Sequence, residues 1–569
     1  MPMTSQFLPP EADEMPWMKS YPEDIVWNAL LTVRPVHELM AETCRKFPKR
    51  PAIDFMGKVW NWARIGDHVN RMARGLQLMG VGKGKRVGLF LPNSPYYLIA
   101  YYAVLRAGAT VVNLNPLYSE RELAHLIEDS QAEMVVTLDL KSLCDKMHPA
   151  LHETRLKKLV VCSFADVLPF PKNLLFPLAR RDELADLEHP ERIVRYGDLI
   201  RNDGRPQAID VNPLEDVAVL QYTGGTTGTP KGAMLTHANV CANVEQCALW
   251  FKNPKHGEER MMGVLPFFHV FAMTAVMNLS VRNGFEILAL PRFDLEQTLA
   301  LLDKKKPQYL PAVPAIFNAI NNHPRLKEFD LKSLRYCISG GAPLPVEVKR
   351  TFEKNTGCVV VEGYGLSESS PVVCVNPIEG KNKPGSIGLP LPRTIVEIVD
   401  PEDKKTLMKT GERGELCVRG PQVMKGYWNK PQETADVLKD GRLHTGDVAI
   451  MDEEGYVFIV DRLKDMIITN GYKVYPRNVE EAIYLNPSVE ECIVAGLPDA
   501  ARGETVKVWV KLKAERVLTA DDLREFLKDK ISAIEMPRYI EFRDKPLPKT
   551  TIGKLSRKDI LAEDAAKKG

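Results

Sequence analysis

The run from Gln221 to His237, QYTGGTTGTPKGAMLTH, has the residue types of a phosphate-binding loop. Between Thr223 and Gly232 it contains four glycines, four threonines and one lysine, Lys231. Glycines let backbone N–H groups approach an anion and adopt positive φ, and the lysine adds a full positive charge. A Walker A loop needs Gly-Lys-Ser/Thr in succession, so this run predicts a phosphate loop of a different class. The alternative is a surface turn, which a Gly/Thr-rich composition alone also permits.

Two more glycine loops each follow a predicted strand, in Tyr336–Leu344 (YCISGGAPL) and Val359–Ser370 (VVVEGYGLSESS). Ligands of open α/β sheets bind at the carboxyl ends of the strands, so we expect the three glycine loops to meet in one cleft. An uncharged stretch, Leu265–Met273 (LPFFHVFAM), surrounds His269 with phenylalanines. A lone buried histidine is usually structural, but this setting makes it a candidate for the pocket wall.

Alternating strands and helices should position these loops. Strands are predicted at Arg86–Leu91, Ala109–Leu114 and Glu133–Leu138. The helices between them begin at Ser94-Pro95 and at the capping box Ser119–Glu122. This βαβαβ order predicts a largely parallel sheet that is covered by helices.

The pattern changes after Asp461. In Glu504–Lys513 (ETVKVWVKLK) apolar and polar residues alternate strictly, which predicts a half-exposed strand, and Thr519 begins a helix. We therefore predict an α/β protein with a large N-terminal domain of several subdomains and mostly parallel, helix-covered sheets (residues 1–461). A small, mobile α+β C-terminal domain (462–569) should follow, because the polar segment Asp461–Asp465 (DRLKD) suits a hinge.

Composition favours a small-molecule partner. The chain has 569 residues and a formal net charge of +2, so bulk charge gives no support for binding to nucleic acid. Its ten cysteines form no CxxC pair, which predicts reduced thiols in a cytoplasmic protein. The first residues, MPMTSQFLPPEADEMPW, lack an apolar core, so we expect no secretory signal.

Two stretches raise the question of a membrane. Met261–Val281 is uncharged over nearly the length of a span, but it contains Pro266 and Asn278, and we predict a buried strand, turn and helix. Residues 164–202 include DVLPFPKNLLFPLARR, which could contact a membrane surface. We favour an irregular lobe that packs its own Leu and Phe side chains, because three prolines oppose a continuous amphipathic helix.

Four motifs together resemble a known family. TGGTTGTPKG, GYGLSES, HTGD with DRLKD, and PLPKTTIGKLSRK occur in the order and at the spacing of the adenylate-forming superfamily of acyl-CoA synthetases, luciferases and peptide-synthetase adenylation domains. Two amino-terminal segments resemble bacterial long-chain fatty-acid CoA ligases: KSYPEDI and RVGLFLPNSPYYLIAYYAVLRAGATVVNLNPLYSERELAHLIEDS. The resemblance implies ATP, Mg²⁺ and coenzyme A as reactants and cofactors. A carboxylate would attack the α-phosphate of ATP to give acyl-AMP and pyrophosphate, and CoA would then displace AMP.

The resemblance also assigns a nucleotide site. Thr223, Thr226, Thr227 and Lys231 would contact the β- and γ-phosphates, Glu368 with Thr227 would hold Mg²⁺, and Asp447 would accept both ribose hydroxyls, with Arg462 nearby. Tyr364 and the Gly340-Gly341-Ala342 turn would flank adenine, and Ser367 would lie near the α-phosphate. The full expected set is Thr223, Gly224, Gly225, Thr226, Thr227, Lys231, Gly340, Gly341, Ala342, Glu362, Gly363, Tyr364, Gly365, Ser367, Asp447, Arg462 and, for CoA, Gly471.

By the same resemblance Lys554 is the principal catalytic residue. Its ammonium group would neutralise the attacking carboxylate and the α-phosphate, two anions that otherwise repel each other. Lys554 would have to leave before CoA enters, so the small domain should rotate about the hinge position Lys464, and Gly471 would then line the pantetheine tunnel. Together with Glu368, Thr227 and Arg462, these lysines form the expected catalytic set. Without the resemblance, Lys554 would be one more surface lysine.

The acyl site is expected at Phe267, Phe268, His269, Val313, Phe317 and Gly341, with Val373 close by. Apolar walls stabilise each buried methylene by about 0.8 kcal/mol, so we predict a medium-to-long-chain fatty acid as substrate. The sequence departs from the family at Arg442, where fatty-acid ligases commonly have tryptophan.

Other functions stay open. A CoA ligase for an aromatic or short-chain acid and a luciferase share the motifs. An amino-acid-adenylating enzyme would place an aspartate in the aromatic stretch, which offers only His269. A serine hydrolase would need Gly-x-Ser-x-Gly, and GLSES fails at Ser369. A non-catalytic nucleotide sensor would not need Lys554, Glu368 and Asp447 together. A homodimer and a peripheral membrane contact are not decided by the sequence.

Overall fold

Strands and helices alternate through most of the chain in the computed structural model. It describes residues 15–187, 191–223, 230–251, 253–499, 502–550 and 554–567. In chain order the strands are β1 (Pro51–Phe55), β2 (Lys58–Asn61), β3 (Arg86–Leu89), β4 (Thr110–Asn113), β5 (Met134–Leu138), β6 (Lys158–Cys162), β7 (Ile193–Arg195), β8 (Val217–Thr223), β9 (Lys231–Thr236), β10 (Arg260–Gly263), β11 (Glu286–Ala289), β12 (Tyr309–Ala312), β13 (Tyr336–Ser339), β14 (Val359–Gly365), β15 (Val372–Val375), β16 (Leu389–Pro390), β17 (Ile395–Val399), β18 (Gly414–Arg419), β19 (Leu438–Lys439), β20 (Arg442–Met451), β21 (Val457–Arg462), β22 (Ile467–Thr469), β23 (Tyr472–Val474), β24 (Val489–Asp499), β25 (Gly503–Leu512) and β26 (Tyr539–Phe542).

The helices are α1 (His37–Lys46), α2 (Trp62–Leu78), α3 (Pro95–Arg106), α4 (Glu120–Ser130), α5 (Lys141–Glu153), α6 (Lys172–Ala179), α7 (Tyr196–Leu199), α8 (His237–Trp250), α9 (Val270–Ala272), α10 (Leu279–Asn283), α11 (Leu295–Lys305), α12 (Pro314–Asn321), α13 (Val346–Thr356), α14 (Pro431–Val437), α15 (Pro476–Tyr484), α16 (Ala520–Leu527) and α17 (Arg557–Ala566). A π-helical stretch, Met273–Asn278, joins α9 to α10. Within the described ranges, no helix is both long and apolar enough to span a membrane.

The first sheet confirms the predicted βαβαβ order. Its strands are arranged β7-β6-β5-β3-β4-β8-β9, and every neighbouring pair is parallel except β8 and β9. Ser94 caps α3 by accepting from the N–H of Tyr97, and Ser119 and Glu122 form the predicted capping box of α4. Helix α3 is buried from Pro95 to Leu105, which explains why its sequence is apolar on all sides.

The second sheet has the order β16-β15-β14-β13-β12-β10-β11-β1-β2. Its central strands, from β14 to β1, run parallel, so the glycine turns after β13 and within β14 lie at neighbouring positions. The stretch Met261–Val281 forms strand β10 and the buried helical run that ends in α10, as predicted.

Two smaller, mainly antiparallel sheets complete the fold. Strands β17 to β21 form one and β22 to β26 form the other. The chain passes from the first of these sheets to the second between Arg462, the end of β21, and Ile467, the start of β22. The residues after this point form their own apolar clusters. The predicted class, an α/β protein with helix-covered parallel sheets and a smaller α+β unit, is confirmed.

The strand predicted to be half-exposed is covered on both faces. Strand β25 buries Val506, Val508 and Val510 on one face, but Lys507 and Trp509 on the other face are also buried. Trp509 packs in a cluster that includes Ile560 of α17, which covers the second face. The alternating apolar and polar residues of β25 predicted an exposed face that is in fact covered. Lys507 pairs with Glu541 and with Asp564 of α17, so its charge is neutralised under the helix.

The lobe at residues 164–202 does not pack all of its apolar side chains, so that prediction is wrong in part. Phe170, Leu174, Leu175 and Leu178 have 80%, 60%, 54% and 80% of their surface exposed. A helix of eight residues, α6, does form despite an internal proline, Pro177.

Candidate functional site

A large cavity of about 2930 Å³ opens where the described ends of the three glycine loops meet the segment that carries Lys554. Its walls include Thr223 and Lys231 from the first loop, the turns after β13 and within β14, and residues of β20 and β21. This convergence is the one expected from the topology, because carboxyl ends of parallel strands lie on the same edge of a sheet. A concave site of this kind is where a small-molecule ligand binds.

The first loop connects two antiparallel strands. Thr223 at the end of β8 pairs with Lys231 at the start of β9, so the strands hold both ends of the loop in place. Gly224, Gly225, Thr226 and Thr227 lie outside the described residues. The ammonium group of Lys231 lies 5.3 Å from the ring centre of Tyr427, on the wall of the cavity.

Tyr427 also orients Glu368, a role that was not predicted from the sequence. Its hydroxyl group donates to Oε1 of Glu368 at 2.7 Å. Burial raises the pKa of Tyr427, which keeps the hydroxyl protonated as a donor. Within the described ranges no side chain or backbone donor contacts the other carboxylate oxygen, Oε2. A carboxylate that offers a free oxygen to a cavity fits a hard cation such as Mg²⁺.

A second carboxylate, Asp447, lies opposite and is almost fully buried at 5% exposure. The register of β20 with β21 places it directly across from Arg462, whose Nε lies 3.1 Å from Oδ1. The hydroxyl group of Tyr364 donates to Oδ2. Both carboxylate oxygens of Asp447 are therefore held in place. Asp447, Tyr364 and Arg462 all line the cavity.

The turn before Asp447 is fixed by another buried acid, Glu415, which the sequence analysis missed. The N–H of Gly446 donates to Oε1 of Glu415 at 3.0 Å, and Nδ1 of His444 lies 2.8 Å from Oε2. This explains the histidine of the HTGD motif: with Glu415 it holds the backbone that presents Asp447.

The turn after β13 approaches its neighbours closely. Gly341 has a φ of +84°, which favours glycine. Within β14, a Cβ at Gly365 would lie 2.0 Å from the carbonyl oxygen of Pro371, so no side chain fits there. Glu362 accepts from the N–H of Leu344 at 3.4 Å and of Gly385 at 3.2 Å, and burial raises its pKa. The remaining expected members of this wall, Gly340, Ala342, Gly363 and Ser367, line the same cavity.

Lys554 reaches into the cavity beside Gly341. A Cβ atom built on Gly341 would lie 3.1 Å from Cε and 3.8 Å from Nζ of Lys554. Burial and the nearby Arg462 lower the pKa of Lys554 to about 8, although Asp447 acts in the opposite direction. An amine in this setting is cationic at neutral pH and loses its proton just above it.

His269 is neutral and lines the same wall. Burial, with a smaller effect of Lys554, lowers its pKa to about 3. Nδ1 accepts from the N–H of Phe271 at 3.3 Å, which leaves Nε2 to carry the ring proton. The ring can therefore donate one hydrogen bond to an anion in the cavity.

The acyl wall differs in part from the expected one. Phe268 and His269 line the cavity, but Phe267, Val313 and Phe317 do not appear on its described surface. Phe267 is fully buried against Tyr97, and Phe317 packs edge-on against Phe352. Val313 lies beside the Gly341 turn, with its Cγ1 3.6 Å from a Cβ built there, and the assignment of these positions to the acyl site stays a prediction.

An apolar arm of the cavity runs instead between two helical faces. Cys247, Trp250 and Phe251 line it from the end of α8, and Phe271, Ala275 and Leu279 line it from the helical run of α9, the π-helical stretch and α10. The spacing of three or four residues puts each set on one face. Further apolar lining comes from Val372, Val375, Ile387 and Leu391.

The structure also places three further positions that the sequence analysis singled out. Arg442 makes a two-point contact with Glu397, at 2.6 and 3.2 Å, so it is held on its own sheet. Gly471 is at the exposed tip of the β22–β23 hairpin, with a φ of +79° and no neighbour within 4 Å of a Cβ there. Lys464 lines the cavity beside Arg462, and burial lowers its pKa.

An ion-pair group joins the segment around Lys464 to the small sheet. Both Nη atoms of Arg557 are engaged: Nη2 contacts Glu480 at 2.8 Å, and Nη1 contacts Asp465 at 3.1 Å and Asp461 at 3.8 Å. The N–H of Arg477 also donates to Asp461. Arg557 follows Lys554 by three residues, so this group anchors the segment that carries the lysine.

Comparisons with known proteins match this architecture. The family model described as "AMP-binding enzyme" matches residues 40–428, and the model described as "AMP-binding enzyme C-terminal domain" matches residues 478–554. The chain is 45% identical over 554 residues to a protein of Bacillus subtilis (strain 168) named long-chain-fatty-acid–CoA ligase, covering 97% of this chain and 98% of that protein. A protein of the same name from Escherichia coli O157:H7 is 36% identical, with 97% and 98% coverage.

Solved structures show the same fold. The ATP-bound structure of MatB from Rhodopseudomonas palustris is 29% identical, with a TM-score of 0.81 and coverage of 93% of this chain and 98% of that one. The anthranilate CoA ligase AuaEII in complex with anthranoyl-AMP has a TM-score of 0.83 at 22% identity, over 94% and 98% of the two chains. At that level of identity, the second comparison concerns the fold alone.

Proposed function

This chain belongs to the AMP-binding enzyme family, and from that premise we propose that it is a fatty-acid CoA ligase. It would convert a medium-to-long-chain fatty acid and ATP into acyl-AMP and pyrophosphate, and then transfer the acyl group to CoA. The observation that carries this proposal is that the amine of Lys554, the carboxylate of Asp447 and the apolar side chains of the arm line one cavity. The names of the relatives support the same substrate class.

In the first half-reaction the acid carboxylate lies at the mouth of the apolar arm. Lys554 reduces the repulsion between this carboxylate and the α-phosphate, and Nε2–H of His269 donates to one of the two anions. Asp447 accepts from the ribose hydroxyls. Thr223, Lys231 and the loop between them bind the β- and γ-phosphates. Mg²⁺, when bound at Glu368 and Thr227, supplies positive charge to the phosphate oxygens.

In the second half-reaction the small unit, residues 462–569, turns about Lys464. This motion withdraws Lys554 and brings the hairpin with Gly471 toward the cavity, where CoA enters. A homodimer, a cytoplasmic location and a membrane contact are hypotheses beyond this core proposal.

Product analysis tests the proposal. The purified protein is incubated with MgATP, CoA and, in separate reactions, acetate, hexanoate, palmitate or benzoate, and pyrophosphate, AMP and acyl-CoA are measured. We expect all three products, with the highest kcat/KM for palmitate. Each additional buried methylene contributes about 0.8 kcal/mol, or roughly fourfold. A maximum at acetate or benzoate would contradict the substrate class, and no AMP with any acid would contradict the reaction.

The apolar arm should limit chain length at Ala275. Replacing Ala275 by phenylalanine fills the arm part-way along the helical face it shares with Phe271 and Leu279. Excluding about four methylenes should lower kcat/KM for palmitate by roughly 200-fold. The value for hexanoate serves as the internal control and should change little. An unchanged ratio of the two values would show that the acyl chain lies elsewhere.

Acyl-adenylate formation should depend on the protonation of Lys554. Only its cationic form reduces the repulsion between the anions, so kcat/KM for ATP should fall as the pH rises through about 8, the pKa of Lys554. Pyrophosphate release without CoA, measured from pH 6 to 10, gives this profile. Thioester formation from supplied acyl-AMP should show no decline over the same range. If both steps decline together, another group is titrating.

A further inference from the structure

Strand β20 bulges where it reaches the wall of the cavity. Cys417 of β18 lies opposite His444 of β20. Glu415, two residues earlier, lies opposite Val448, four residues later, so β20 has two extra residues at this point. Residues 445–447 form the bulge, and the carboxylate proposed to bind ribose is at its end. Whatever holds the base of the bulge therefore holds that carboxylate as well.

Three side chains of the kinds that bind metal ions meet at this base. Cys417 and His444 are partners across the ladder, and Glu415 is two residues from Cys417, so strand geometry puts all three on one face of the sheet. Nδ1 of His444 lies 2.8 Å from Oε2 of Glu415 and 3.4 Å from Sγ of Cys417. One ligand atom from each residue lies within 4.8 Å of those of the other two. All three residues are buried, behind the described surface of the cavity.

Hydrogen bonds within the protein do not satisfy this cluster. Nδ1 of His444 faces both a carboxylate and a thiol, and it can either donate to the first or accept from the second. Nε2 of the same ring is buried and has no hydrogen-bond partner within the described residues. Buried polar atoms normally have partners. A cation placed among the three would be bound by the ring nitrogen, the carboxylate oxygen and the sulfur at the same time.

We propose that Glu415, Cys417 and His444 bind one Zn²⁺ ion at the base of the bulge, and that the bound ion lowers the affinity of the neighbouring site for ATP. Thiolate, imidazole and carboxylate are the ligands of protein zinc sites, whereas Mg²⁺ and Ca²⁺ prefer oxygen alone. In a tetrahedral zinc site a sulfur and a nitrogen ligand lie about 3.6 Å apart. The present separation of Sγ and Nδ1, 3.4 Å, is close to that value.

The protons and charges of the bound form balance. Burial, and then the charge of Glu415, raise the pKa of Cys417, so its thiol is protonated when no ion is bound. On binding, Sγ releases its proton to solvent and the proton of the His444 ring resides on Nε2. One thiolate and one carboxylate then neutralise the two charges of Zn²⁺. A neutral cluster is compatible with this degree of burial.

The effect on ATP follows from the second oxygen of Glu415. Oxygen and nitrogen ligands of a tetrahedral zinc ion lie about 3.4 Å apart, so Oε2 and Nδ1 must separate by roughly half an ångström. The other oxygen, Oε1, accepts from the N–H of Gly446 at 3.0 Å. Turning the carboxylate weakens this bond, which fixes the bulge, and its loss should raise the KM for ATP about tenfold. This consequence rests on the proposed function, whereas zinc binding itself does not.

The test begins with protein that has been freed of metal by a chelator and dialysed. Zn²⁺ binding is measured by competition with a chromophoric chelator, without ATP, CoA or fatty acid. Cys417→Ser nearly keeps the size of the side chain and removes the sulfur ligand. The matched control, Cys144→Ser, changes another buried cysteine, whose Sγ contacts the carbonyl oxygen of Leu138 at 3.1 Å, a contact that serine also makes. Loading the wild type with Co²⁺ gives a reading that needs no variant, because a thiolate ligand produces a charge-transfer absorption band.

We expect one Zn²⁺ per chain in the wild type and in Cys144→Ser, binding at least tenfold weaker in Cys417→Ser, and the charge-transfer band in the cobalt-loaded wild type. No binding by the wild type, equal binding by Cys417→Ser, or a cobalt spectrum without the band would overturn the proposal.

Kinetics at a buffered concentration of free Zn²⁺ test the coupling. The KM for ATP should rise about tenfold in the wild type and stay unchanged in Cys417→Ser, and the two proteins should be equally active without zinc. An unchanged KM in the zinc-loaded wild type would refute the inhibitory site. Equal inhibition of both proteins would also refute it, because zinc would then act at ATP or at the magnesium site. If the protein formed no AMP with any acid, zinc binding would still be measured, so the two proposals fail separately.

Discussion

Replacing Lys554 by alanine should slow acyl-adenylate formation by about 100- to 1000-fold, the usual effect of removing one charged group from a developing anion. Nζ of Lys554 is close to the Gly341 turn and to the Asp447–Arg462 pair, where the α-phosphate would lie. Thioester formation from supplied acyl-AMP should persist, because the proposed rotation withdraws this lysine before CoA reacts. Single-turnover measurements of pyrophosphate release and of acyl-CoA formation separate the two steps.

The control for this variant is Lys545→Ala, which removes an exposed lysine from the same segment of the small domain. It should leave both half-reactions close to wild-type rates. If Lys554→Ala lowered both half-reactions equally, the lysine would be supporting the fold or the CoA step, and the assigned role would be wrong.

Changing Asp447 to asparagine should have the second large effect. Asparagine nearly preserves the shape but removes the charge and one acceptor, so it cannot accept from two ribose hydroxyls and also pair with Arg462. Hydrogen bonds to a charged group contribute about 1.5–3 kcal/mol each. Loss of one such bond, and of the charge that strengthens the other, should lower kcat/KM for ATP by about 100-fold, with most of the change in the KM for ATP.

Asp440→Asn is a suitable control for this substitution. Asp440 is exposed and has a φ of +51°, a conformation that asparagine also adopts readily. The KM for CoA should be unchanged in both variants, and the thermal stability should be unchanged in Asp440→Asn. A normal KM for ATP in Asp447→Asn would remove this carboxylate from the ribose site.

Elements set by local chemistry were predictable from the sequence. The capping box at Ser119 and Glu122 and the Ser94-Pro95 helix start depend on neighbouring residues, and both are present in the structure. The meeting of the glycine loops followed from parallel topology, which places the ends of neighbouring strands together. The roles of individual residues came from a resemblance to known enzymes and stay predictions.

Contacts between distant segments could not be predicted. Nothing in the sequence around Tyr427 indicated that its hydroxyl would orient Glu368, 59 positions away. The alternation in β25 was misinterpreted because α17 covers its second face, with Asp564 neutralising Lys507. The prolines in residues 164–202 argued against a continuous amphipathic helix, and only the eight-residue helix α6 forms there, but its exposed leucines were not predicted.

The ion pairs of Arg557 couple the proposed rotation of the small unit to the entry of water. Asp461 is only 3% exposed and depends on the N–H of Arg477 and the guanidinium of Arg557, both beyond the hinge, for its neutralisation. Asp465 and Glu480 would travel with Arg557, but Asp461 would be left behind. A buried carboxylate left with only the N–H of Arg462 as a partner is costly, so water would have to enter this joint each time the small unit turned and leave again each time it returned.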